Sequence, residues 1–161
     1  MRERSALIAI PPRRRAPIRT RTLVAAALFL ACGLAFAEDA STARMKAPKG
    51  ASVSILSPKN GATVGQEVTV KFGAKGIQIK PAGDTTPDSG HHHLLIDGNE
   101  LPPLDAPIPN DATHKHYGKG QTEDTIHLEP GTHTLQLDLG DAAHRQFDPP
   151  IVSKKITIRV K

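Results

Sequence analysis

The sequence predicts an all-β domain, an immunoglobulin-like sandwich of about seven short strands with one long proline-rich loop. Apolar and polar residues alternate with a period of two in several places. Val68, Val70 and Phe72 alternate with Thr69 and Lys71, and Leu135, Leu137 and Leu139 with Gln136 and Asp138. Ile156, Ile158 and Val160 alternate with Thr157 and Arg159. Eleven prolines from Pro48 onward leave no uninterrupted amphipathic stretch for a long helix. Turn signals at Pro58-Lys59-Asn60-Gly61, Asp97-Gly98-Asn99, Pro130-Gly131 and Pro149-Pro150 separate the alternating runs.

The remaining strand candidates are Val53–Leu56, Ile77–Lys80, His91–Asp97 and the pair Ile126 and Leu128 flanking His127. Between Gly98 and Asp124 the chain carries Pro102, Pro103, Pro107 and Pro109 and no convincing strand. A connection that long in a compact domain is usually functional or disordered. Histidines at its far end favour function.

Charge is divided unevenly along the chain. Residues 1–37 hold seven Arg and one Glu, whereas residues 38–161 hold 14 basic and 15 acidic side chains. The net charge of +5 therefore belongs to the leader and implies no nucleic-acid partner. That leader has the parts of a signal peptide: a basic stretch through Arg21, an apolar run from Leu23 to Phe36, and the small-x-small site Ala35-Phe36-Ala37. The apolar run is shorter than the roughly 20 residues that span a bilayer. The reading is thus 1–37 signal peptide, 38–51 flexible tether and 52–161 the β domain. Cleavage would release a secreted, periplasmic protein with no membrane span. Lipidation at Cys32 is the alternative, as is an uncleaved anchor.

Cleavage also removes Cys32, the only cysteine, which excludes disulfides, thiolate metal sites and cysteine nucleophiles from the released domain. The chemistry left to it lies in histidine. Gly90-His91-His92-His93-Leu94-Leu95-Ile96-Asp97 read as a strand puts His91 and His93 on one face and His92 with Leu94 and Ile96 on the other. His92 is then a packed, hydrogen-bonded core residue. His91 and His93 have Cα atoms about 6.5–7 Å apart, close enough for two imidazoles to converge on one ion.

A second His-x-His pair, His114 and His116, ends the long loop, and His144 stands near another strand end. Folding the loop over the outer face of the triplet strand would bring the pairs together in a surface-facing site. The candidate ligands are His91, His93, His114, His116 and His144. Imidazole suits Zn²⁺, Cu²⁺ or Ni²⁺, with Zn²⁺ or Cu²⁺ the expected cofactor, bound less well below the histidine pKa of about 6.5. A hydrogen-bonded histidine network without an ion is the competing reading. His133 follows Pro130-Gly131 on the inward face with Leu135, a position that resembles the tyrosine corner of sandwich domains and suits a buried structural ring. His127 faces solvent.

These motifs together resemble a known family. Pro58-x-x-Gly-Ala-Thr-Val, Gly90-His-His-His-Leu-Leu-Ile-Asp97, His114-x-His-Tyr-Gly-Lys-Gly-Gln-Thr-Glu123, Pro130-Gly-Thr-His-Thr-Leu-Gln-Leu137 and Asp148-Pro-Pro-Ile-Val-Ser153 are similar to the bacterial "domain of unknown function 4399" family, over nearly all of 52–161. The resemblance implies an exported β domain with no established activity. It also implies a histidine just before the Asp-Pro-Pro in many members, where Phe147 stands here.

Two functions follow as expectations. One is a divalent-metal domain for binding, storage or delivery. The other is an immunoglobulin-like module that binds an envelope protein, its histidines only structural. Acid–base hydrolysis by histidine with Glu123 or Asp141 is the weaker case, because the chain lacks a Gly-x-Ser-x-Gly nucleophile turn. The reading therefore leans away from an enzyme. One Tyr and no Trp make an aromatic carbohydrate platform hard to build.

Overall fold

The structure, a computed structural model, describes residues 44–161. The leader, Cys32 and the Ala37–Glu38 junction lie outside the described residues. Among the described residues nine strands follow in order: β1 Ser52–Ser57, β2 Thr63–Val64, β3 Glu67–Lys75, β4 Gln78–Ile79, β5 Ser89–Ile96, β6 His114–His116, β7 Glu123–His127, β8 Gly131–Gly140 and β9 Ile156–Val160. Seven occupy the regions that alternation marks. The other two, β2 and β6, are too short to show a period, and β6 lies within the loop expected to hold no strand.

The strands form two sheets. One has the order β1-β3-β7; the other has β2-β9-β8-β5-β4, with β6 also paired to β5. Their facing residues make one core, a β-sandwich. In β3, Val68, Val70 and Phe72 point inward while Glu67, Thr69 and Lys71 are exposed. Across from them stand Leu94, Leu135, Leu137, Leu139, Ile158 and Val160. Each fully buried Leu contributes about 1.5–3 kcal/mol relative to exposure.

Residues 44–51 do not behave as a free tether. Lys46 bridges Asp148 in parallel, Ala47 N donates to the Asp148 carbonyl and Asp148 N to the Met45 carbonyl. Arg44 adds two bonds, to the Phe147 carbonyl and to Asp148 Oδ1, each 3.0 Å. Met45, Ala47 and Ala51 pack on the core. The sequence shows no apolar period there because the segment attaches through its backbone.

The proline-rich loop covers the outer face of the larger sheet. Pro102 and Ile108 of the loop are buried, as is Leu95 of the sheet. Among the hydrogen bonds that hold the loop down are Ile108 N to the His144 carbonyl, 2.6 Å, and Gln146 Nε2 to the Pro102 carbonyl, 2.8 Å. No helix of the described residues is long and apolar enough to cross a membrane.

Candidate metal centre

Strand β5 is buried from Ser89 to Leu95, so both of its faces are covered. Gly90, His92 and Leu94 face the core; His91, His93 and Leu95 face the loop. The register completes that second face. On β8, Gly140 stands opposite His91, Asp138 opposite His93 and Gln136 opposite Leu95. On β6, His116 stands opposite His93 and His114 opposite Leu95.

A tight turn after β8 supplies one more ring. Asp141 Oδ1 accepts from Ala143 N at 2.8 Å and Arg145 N at 3.0 Å, while His144 N donates to the Asp141 carbonyl. His144 adopts a left-handed φ of 62°, which turns it back over β5. Asp141 thus organises the turn through Oδ1.

Four imidazoles meet here. Nitrogen atoms of His91, His93 and His116 lie within 4.8 Å of one another. Ring centroids are 4.9 Å apart for each pair of those three, and His144 is 5.0 Å from His91 and 4.8 Å from His116. His91 Nε2 and His93 Nε2 are 3.1 Å apart. Two nitrogens on adjacent corners of a tetrahedral Zn²⁺ shell, each about 2.0–2.1 Å from the ion, would stand about 3.3 Å apart.

His91 and His93 are neutral at pH 7. Burial is the main cause of holding His91 at about 4 and His93 at about 2, and the neighbouring imidazoles add to it. His116 is lowered by burial and by His144. Neutral imidazole is the form that ligates a metal. This corrects the expectation of a surface-facing site, because the side chains of His91 and His93 have no exposure at all. Only His116 and His144 reach partial exposure.

Two glycines make room for the rings. A Cβ on Gly118 would collide with His116 Cε1 and stand 2.6 Å from its Nε2. One on Gly140 would stand 2.9 Å from His93 Nε2 and 3.3 Å from His91 Nε2.

His114 shares the face but not the cluster. Its Nδ1 lies 2.9 Å from Asp111 Oδ1, which also accepts from the Thr113 and His114 amides. Those bonds, the His114 side chain's first, hold the Asp111 carboxyl well below the usual carboxylate range. The Asp-x-Thr-His turn was the local signal for this capture.

The other histidines divide by environment. His92 packs on Phe72 with centroids 5.2 Å apart, but neither ring nitrogen has a hydrogen-bond partner, contrary to the hydrogen-bonded core residue expected. Burial lowers it to about 4. His133 makes the corner: Nε2 donates to the Glu129 carbonyl at 2.8 Å and Nδ1 to Asp97 Oδ2 at 2.7 Å. Its side chain is 16% exposed rather than buried, because the carboxylate partner lies at the surface. His127 is exposed, with Nδ1 2.6 Å from Glu67 Oε1.

Asp138 was missed by sequence reasoning. Alternation with leucines marks it as outward, yet it is fully enclosed and neither oxygen accepts a hydrogen bond. Burial pushes its carboxyl up to about 7, only partly offset by the Leu139 amide, which donates to the Ile151 carbonyl.

The class is thus an all-β sandwich whose larger sheet encloses a layer of imidazoles under a proline-rich strap. The chain belongs to the family described as a domain of unknown function (DUF4399), whose family model matches residues 70–161. That segment contains every histidine of the cluster; β1, β2 and the start of β3 precede it, so the match is shorter than the 52–161 expected. No curated protein and no solved structure matches the chain. Phe147, which replaces the histidine expected before Asp-Pro-Pro, is fully buried in the core and touches the inward side of Gly90. A histidine at that position would face away from the cluster.

Proposed function

We propose that this protein is an exported, periplasmic domain that holds a divalent transition-metal ion through His91, His93 and His116, with His144 as a fourth donor. The observation that carries the reading is the gathering of three imidazoles, two of them fully buried, with nitrogens within 4.8 Å of one another. Packing three rings for shape alone would favour apolar side chains, since buried polar groups without partners are costly. His91 Nδ1, His93 Nδ1 and His116 Nε2 are such groups. An ion held between the facing ring nitrogens gives the cluster a reason to retain imidazoles despite that cost. Nitrogen donors without thiolate suit Zn²⁺ or Cu²⁺. Enclosure of two of the three ligands favours holding or delivering an ion over catalysis, which needs an open coordination position.

The test uses untagged protein recovered after expression of the full chain, whose intact mass also reports whether it begins at Glu38. Stoichiometric Zn²⁺ or Cu²⁺ should raise its melting temperature at pH 7.5. Binding to the folded state alone stabilises it by about 2.7 kcal/mol at a hundredfold excess over the dissociation constant. No shift with Zn²⁺, Cu²⁺ or Ni²⁺ would return the domain to the envelope-interaction reading.

A further inference from the structure

The covered face of the larger sheet holds more than imidazoles. Besides three ring nitrogens, Asp138 Oδ1, Asp138 Oδ2 and Gln146 Oε1 are buried there without hydrogen-bond partners. Gln146 has its amide nitrogen committed to the Pro102 carbonyl and pairs with Gly140, one step along the face from His93. Asp138 is directly opposite His93 on the neighbouring strand. His93 has Nε2 against His91 Nε2, 3.1 Å away, so Nδ1 is its outer nitrogen, and that atom is buried with no partner.

Directly opposed residues of antiparallel strands hold their Cβ atoms about 4.5–5.5 Å apart. That spacing puts the outer nitrogen of His93 within the reach of an Asp138 carboxylate. Other nearby carboxylates are committed, Asp111 to His114 and Thr113, and Asp141 to its turn amides.

We infer that Asp138 is the positioning partner of His93: its carboxylate accepts the Nδ1–H and so turns the Nε2 lone pair toward the cluster. In the metal-free pair His91 Nε2–H then donates to His93 Nε2. A carboxylate behind a ligating imidazole fixes its tautomer and raises its basicity, and losing such a partner typically costs 10–100-fold in metal affinity. The purpose of this arrangement rests on the metal reading above, but the tautomer itself does not.

The experiment compares wild type, Asp138→Asn and Asp138→Leu as untagged protein from the full chain. Histidine ring ¹⁵N NMR reads the His93 tautomer, Zn²⁺ titration reads affinity, and apo melting reads stability. We expect His93 as the Nδ1–H tautomer in wild type and in Asp138→Asn, whose amide oxygen still accepts, and a mixture in Asp138→Leu. Asp138→Leu should bind Zn²⁺ about 10–100-fold more weakly, and its apo melt checks that the domain still folds. A purely structural Asp138 would leave the His93 tautomer and the Zn²⁺ affinity of the folded protein unchanged. An Nε2–H tautomer in wild type overturns the assignment, as does Asp138→Leu with unchanged tautomer and unchanged affinity. If Asp138→Leu does not fold, the tautomer in wild type and Asp138→Asn decides alone. Loss of the tautomer in Asp138→Leu, with no Zn²⁺ bound by any form, upholds the Asp138–His93 pair and removes the metal reading only.

Discussion

Gly140 and His93 are fitted to each other: a Cβ on the glycine would stand 2.9 Å from the Nε2 of the ring. Backbone of β8 therefore forms the floor beneath the clustered ring nitrogens of β5. Gly140→Ala should displace the His91 and His93 rings. We expect it to weaken Zn²⁺ binding at least tenfold and to cost about 1–3 kcal/mol of apo stability from overpacking. Isothermal titration with a denaturant melt measures both. Affinity equal to wild type would place the ion elsewhere.

The two histidines of β6 should behave differently despite their shared face. His116→Ala removes a ring from the group of three and should abolish the Zn²⁺-induced rise in melting temperature. His114→Ala releases Asp111 and loosens the loop end, yet should keep that rise. Equal losses from both substitutions would show that His114 swings into the site when metal binds.

Acid should unfold the metal-free protein through β5. In the unfolded chain histidines take up protons near pH 6.5. In the folded protein His91 and His92 do so only near 4, and His93 near 2. The stability these neutral rings contribute is complete above pH 6.5 and declines toward pH 4, by about 1.4 kcal/mol per pH unit for each ring. Asp138, raised to about 7, has the opposite sign, so its cost grows as pH rises from about 4 to 7. Three rings outweigh one carboxyl, and His116 adds to their side. The urea midpoint should therefore drop steeply between pH 6.5 and 4.5. A flat profile would mean that the rings are hydrated in solution. The same displacement moves loss of metal below the pH of about 6.5 expected for free imidazole.

His133 should matter to stability alone. Asp97, through its side-chain hydrogen bond, is the first cause of the raised His133 pKa. The charged pair's contribution is thus full below the unfolded histidine pKa and is lost as pH rises through the higher folded value. His133→Ala takes the donor from Asp97 Oδ2 and the Glu129 carbonyl and should cost about 1–3 kcal/mol, less at pH 9 than at pH 6. The metal-induced shift should survive. If it vanished while the apo midpoint held, the corner would belong to the site.

The core of this sandwich was legible because half-buried strands write their burial as alternation, as Val68-Thr69-Val70-Lys71-Phe72 does. Pairing within each His-x-His was legible for the same reason. Enclosure of His91 and His93 was not, since it depends on a loop that returns from residues 98–113 with no periodic signal. The role of His144 depends on a left-handed backbone angle at a non-glycine residue, which composition does not announce. Asp138 misled most: alternation reports which face a side chain takes, and only the distant strap decides whether that face meets water.

That strap also bears on how fast an ion could leave. Ile108 N is bonded at 2.6 Å to the carbonyl of His144, so backbone motion of this donor and lifting of the strap are one event. Release would then run at the pace of a backbone opening, not of a side-chain flip. Residence time and affinity become separate properties here: a change such as Ile108→Pro, which deletes the amide and keeps every imidazole, would turn a slow-exchanging holder into a fast one.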